Sequence, residues 1–132
     1  MSSSHSPTPP LTTVVVCPPN IGPGERRKRV VVGVAALVVC VGAALLRSLD
    51  GAPRHWRLLL FLPAWTAALG IFQARASVCV AFAARGVRNL DGKQEAQPAA
   101  DLAAVRREAR RVHVRALLTA VALTALCFFL AP

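Results

Sequence analysis

No Asp, Glu, Lys, Arg or His falls within any of the three long apolar runs of this 132-residue chain. Proton relays, ion pathways and voltage sensors usually need such groups at depth, so an autonomous transporter is not expected. A bis-His haem between helices is not available either, because His5, His55 and His113 fall in three separate polar segments. There is no P-loop, no H-E-x-x-H and no nucleophile elbow, and no conventional enzyme or cofactor is expected. The four cysteines, Cys17, Cys40, Cys79 and Cys127, form no C-x-x-C pair and do not read as a secreted disulfide framework. Acidic residues are scarce, six against sixteen Lys and Arg. The resulting net charge of +10 comes with no aromatic platform or recognised nucleic-acid fold, so nucleic acid is not an expected partner.

What the chain does have is hydrophobicity sorted away from charge. Hydrophobic residues make up 55% and the mean hydropathy is +0.49, yet the charges cluster between the apolar runs. That segregation marks an integral membrane protein. The first run, Val30 to Leu46, has seventeen residues, apolar around its whole circumference. At 1.5 Å per residue it covers about 25 Å, and Arg29 and Arg47 snorkel to span the rest of the bilayer. The second, Leu58 to Ala74, follows an interfacial Trp56-Arg57 pair and carries Pro63 near its start, where a kink costs least. The third is Ala116 to Pro132. The expected fold is an all-α membrane protein with spans at about 30–46, 57–77 and 116–132.

The polar segments complete this reading. Residues 1–24 hold six of the ten prolines and are expected to be a disordered tail ahead of a helical membrane domain, 25–132. Nothing between 75 and 84 signals a turn, so one helix is expected from about 57 to 85, its last turns leaving the bilayer on the cytosolic side. Gly86 and Asn89-Leu90-Asp91-Gly92 close it. A basic juxtamembrane helix should run from Pro98 to Arg115 and feed into the third span, with Leu102, Val105, Ala109 and Val112 as its apolar stripe. Placing the segments before span one and between spans two and three inside gives thirteen basic residues inside against three outside. The N-terminus is then cytosolic and the C-terminus outside the plasma membrane.

Three small-residue stripes at spacings of four are candidate packing faces: Ala36, Cys40 and Ala44; Thr66, Gly70 and Ala74; Ala116, Ala120 and Thr124. Small residues let membrane helices approach closely, although an Ala-rich chain also produces such spacings by chance. Arg106, Arg107, Arg110, Arg111 and Arg115 are candidates to hold anionic headgroups, or simply to hold the membrane. Cys40 and Cys127 read as small buried hydrophobes. Cys17 and Cys79 both lie near the cytosolic membrane surface in a positive field that favours thiolate, and are candidates for a thiol or metal site or for two unpaired thiols. Two ligands do not make a zinc site, so a metal role needs His113, a dimer or a partner. Cys79, just beyond Arg75, is expected to meet an impermeant thiol reagent sooner than Cys40 or Cys127.

Two stretches carry a resemblance. Asn20-Ile21-Gly22-Pro23-Gly24-Glu25-Arg26-Arg27-Lys28-Arg29 is one, and Phe72-Gln73-Ala74-Arg75 through Cys79-Val80-Ala81-Phe82 to Arg85-Gly86-Val87-Arg88-Asn89-Leu90-Asp91 is the other. Together they resemble a family of small, uncharacterised bacterial membrane proteins with a Cys and an Asn-Ile-Gly element ahead of the first span. The resemblance implies no activity, and it draws attention to Cys17 and Cys79. Arg over Lys, with abundant Ala and Val, also suggests a GC-rich bacterial genome. The function expected is that of a small non-enzymatic membrane subunit or scaffold. It would associate through its helix faces with another membrane protein or a second copy, in a bilayer with anionic headgroups. A thiol or metal site on Cys17 and Cys79 is the alternative.

Overall fold

The computed structural model describes residues 17–90 and 92–130. It is an all-α membrane protein in which three helices are long and apolar enough to cross a bilayer. Helix α1 runs Pro23–Leu49, with Pro23 in its first turn, Glu25 beside its positive N-terminus and Arg47 in its last turn. After a tight turn at Asp50-Gly51, residues Arg54–Leu60 wind as a 3-10 helix. Helix α2, Phe61–Ala76, begins only there, with Pro63 in its first turn. Proline lacks an N–H, so the ladder cannot extend back through it as a regular α-helix. The last long helix, Ala99–Leu130, has 32 residues, about 48 Å, and is unbroken from its arginine-rich half into its apolar half.

The expected extension of the second helix to 85 is not what forms. Helix α2 stops at Ala76 because Ser77 adopts the left-handed conformation (φ 56°), the one non-glycine residue with positive φ among the described residues. Ser77 N–H donates to Ala74 O and Val78 N–H to Gln73 O (3.4 and 3.1 Å). That is the two-bond Schellman closure, which usually has glycine at this position. A short helix, α3 (Val80–Arg85), follows and ends at Gly86. A hairpin then pairs β1 (Val87–Asn89) with β2 (Gln94–Ala96) antiparallel, and the 32-residue helix is therefore α4.

The expected disordered tail also differs from what forms. Residues 1–16 lie outside the described residues, but 17–22 are built into the fold. Ile21 pairs in parallel with Asn89 as a third strand-like segment and is 1% exposed.

Helix α1 is antiparallel to α2, with Arg26 near Ala74, Gly33 near Gly70 and Cys40 near Leu60. Helix α4 is antiparallel to α2 on another side, through Arg57 with Cys127 and Trp65 with His113. One end of the molecule thus gathers the α1 N-terminus, the α2 C-terminus, α3, the hairpin and the basic half of α4. The opposite end holds Arg47 over Trp56 and Arg54 over Phe128.

The α1–α2 crossing is the tightest contact between helices. A Cβ placed on Gly70 would stand 2.8 Å from Arg29 O and 3.0 Å from Gly33 Cα, closer than side chains come to backbone. Gly70→Leu should therefore push α1 off α2 and cost about 1–3 kcal/mol. A lower thermal unfolding temperature in micelles is the expected reading, with Leu59→Ile, on an exposed position, unchanged. Equal unfolding temperatures in both variants would mean the crossing is not tight.

Candidate functional site

The basic end of the bundle holds most of the buried polar side chains among the described residues, Asn20, Gln73, Asn89 and Gln97. Ending α2 at Ala76 leaves an irregular stretch, Ser77-Val78-Cys79, inside the protein, and its peptide groups need partners. Asn20 supplies them. Its side-chain Oδ1 accepts from Cys79 N–H at 2.6 Å and its Nδ2 donates to Cys79 O at 3.0 Å, so one carboxamide clasps both polar groups of one residue. The Asn20 backbone N–H donates to Ser77 O (3.1 Å), and its carbonyl accepts from Asn89 N–H (2.8 Å). Gly22 N–H then donates to Asn89 O (2.8 Å). Any side chain at Gly22 would collide with the Leu90 carbonyl, so glycine is required for this approach. Asn20 is fully buried.

Arginines satisfy other helix-end carbonyls. Arg26 Nε donates to Ala74 O (3.0 Å), and Arg106 donates from Nε to Ala83 O (3.1 Å) and from Nη2 to Ala84 O (3.5 Å). Cations placed at helix C-termini also meet a favourable dipole. Arg106 is thus engaged with α3. The other arginines of the candidate headgroup set, Arg107, Arg110, Arg111 and Arg115, are exposed, and Arg111 lies 3.5 Å from Glu108.

Cys79 does not have the accessibility expected of it. It is 1% exposed, packed with Ile21 and Phe82, while Cys40 and Cys127 are half-buried. The reason is the break at Ser77, which turns residue 79 inward instead of along an exposed helix. Its Sγ accepts from Arg29 Nη2 at 3.3 Å. Cys17 packs in a neighbouring apolar cluster against Val78, Ala83, Val105 and Ala109, with its thiol 3.7 Å from Ala104 O. Burial raises its pKa above the ordinary thiol value. The Glu108 and Asp101 carboxylates add to the rise, and Arg111 opposes it. The positive field expected to favour a Cys17 thiolate is therefore outweighed. His113, the residue that would supply a third ligand, sits edge-on to Trp65 at 5.9 Å. Among the described residues no group of three or more His, Cys, Asp or Glu is placed to hold a metal ion.

The small-residue positions divide unevenly. Ala116, Ala120 and Thr124 are buried along α4, in line with Val105, Ala109 and Val112. On α2, Gly70 and Ala74 are buried, but Thr66 is exposed and donates back to Leu62 O (2.9 Å). Its face points away because α1 contacts Ala67, Gly70, Ile71 and Ala74 instead. On α1 the buried position is Gly33, whereas Ala36, Cys40 and Ala44 are half-buried. Sequence reasoning missed Asn20, Arg26, Arg29 and Ser77 as structural centres, although the first three lie in the Asn-Ile-Gly stretch. No family model, curated protein or solved structure matches the chain.

The clasp generates a direct prediction. Asn20→Ala leaves the buried Cys79 N–H without a partner and its C=O with only the bond from Ala83 N–H (3.0 Å), at a cost of roughly 2 kcal/mol. Cys79 alkylation by maleimide should then speed up by at least about tenfold, as the break opens more often. Unchanged labelling in this variant would mean that Asn20 does not hold residue 79 in place.

Proposed function

We propose that this chain is a small non-enzymatic membrane subunit or scaffold that associates through its transmembrane helix faces. What supports the reading is the vacancy between α1 and α4. Both pack on α2, and they at most graze each other. A fourth helix laid against all three would complete an antiparallel four-helix bundle. The opening between α1 and α4 is a predominantly apolar groove of about 200 Å³. Its floor is Ala64, Ala67 and Ala68 of α2, and its walls include Leu37 and Cys40 of α1 and Thr119 and Leu123 of α4. Small floor residues let an incoming backbone approach closely. The occupant is a fourth transmembrane helix supplied by another chain.

The location that fits is a bacterial inner membrane with the N-terminus cytosolic and the C-terminus outside. The charge asymmetry supports this orientation, and the resemblance of the Asn20 and Cys79 stretches to small bacterial membrane proteins supports the setting. The basic end is then the cytosolic end. A reporter fused after Pro132 should be active outside the cytosol, and an active cytosolic reporter there overturns the orientation.

Thr119→Phe fills the groove from its wall while leaving the α2 contacts in place. It should abolish co-purification of the partner helix, or of a second tagged copy, from native membranes. Leu59→Ile, away from the groove, should leave either unchanged. The tag recovered identifies the occupant as self or another protein. Full recovery of both from the Thr119→Phe variant would remove the groove as the interface.

A further inference from the structure

We propose that a second feature of the basic end, a concavity between α1 and α2, is a binding site for the phosphodiester headgroup of an anionic phospholipid. It has a volume of about 290 Å³ and is lined by Pro23, Arg26, Arg27 and Val30 of α1 and by Ala74 and Arg75 of α2. Three arginines from two helices therefore line one depression. Arg26 is held there by its Nε bond to Ala74 O (3.0 Å), which leaves its two Nη groups to turn toward a ligand. Neither Arg27 nor Arg75 has an acidic partner among the described residues. Glu25, in the same turn of α1, is bonded to Lys28 at 2.9 Å. Three uncompensated cations in one concavity ask for an anion, and the planar fork of arginine matches a phosphate's oxygens.

The remaining lining decides between a lipid and free phosphate. Val30, Pro23 and Ala74 give the concavity an apolar side. Val30 is also the first residue of the seventeen-residue uncharged run, so the site sits where headgroup gives way to hydrocarbon. A soluble phosphate would leave that apolar side wet, whereas a glycerophospholipid covers it with its glycerol and upper acyl carbons. The site is separate from the arginine face of α4. It stands independently of the helix-association reading, because neither its residues nor its ligand involve the groove between α1 and α4.

The test uses the full chain in a non-ionic detergent, titrated with phosphatidylglycerol and read by native mass spectrometry as lipid retained per chain. One phosphatidylglycerol should be retained, with phosphatidylcholine at least about tenfold weaker. The double variant R27Q/R75Q should weaken phosphatidylglycerol about tenfold or more, since each interfacial arginine contributes on the scale of a few-fold to tenfold. Arg26 is left in place because it also holds the Ala74 carbonyl. The control R85Q/K93Q removes the same charge from exposed positions of α3 and the hairpin and should change binding by no more than about twofold. Inorganic phosphate at equal concentration should not displace the lipid. Wild-type retention in R27Q/R75Q, equal weakening in both double variants, or displacement by free phosphate would each overturn the proposal.

Discussion

The arrangement of the basic end depends on one side chain, the carboxamide of Asn20. It pairs with both polar backbone groups of Cys79, fifty-nine residues away in sequence. An irregular stretch between two helices cannot be buried unless its peptide groups are satisfied, and an unpaired buried amide costs as much as several good apolar contacts gain. With Asn20 in place, α2 ends sharply at Ala76, α3 turns inward, and Ile21 and Phe82 close over Cys79. Asn89 then joins the same network from the hairpin through its own backbone N–H and carbonyl.

The membrane half obeys a different constraint. Apolar side chains gain nothing by leaving lipid for a protein interior, so helices associate where backbones come close. Gly33 and Gly70 provide that approach between α1 and α2. Elsewhere α1 offers branched apolar side chains outward: Val31, Val38 and Leu45, spaced by seven, are each more than half exposed. The α4 stripe of Val105, Ala109, Val112, Ala116, Ala120 and Thr124 continues unbroken across the boundary between its basic and apolar halves. One helix face thereby ties the small domain at the basic end to the spanning bundle.

Much of this was legible in the sequence, and the failures have a common cause. The three spans, the continuity of the basic helix with the last of them, and the closure at Gly86 all follow from local signals: uncharged run length, apolar spacing, and a glycine in the left-handed conformation. The break at Ser77 was not legible, because glycine is the usual residue for that closure and serine carries no such mark. Nor was the docking of residues 17–22, since Pro18 and Pro19 read as an unstructured tail and the partners of Asn20 lie far along the chain. Cys79 was misplaced as a consequence: a continuous helix would have left it accessible, and the break buries it. Thr66 shares a spacing with Gly70 and Ala74 but not their face, because a spacing of four drifts around a helix and α1 contacts α2 along Ala67, Gly70, Ile71 and Ala74.

Residues 17–22 are a fixed part of the fold rather than a tail. Native-state hydrogen exchange of two amides, Cys79 and Asn89, tests this most directly, because both donate to Asn20. Both should be protected to the same degree as amides in the middle of α2 and exchange only when the basic end opens as a unit. Exchange of both at the rate of an unprotected loop amide, with α2 still protected, would contradict it.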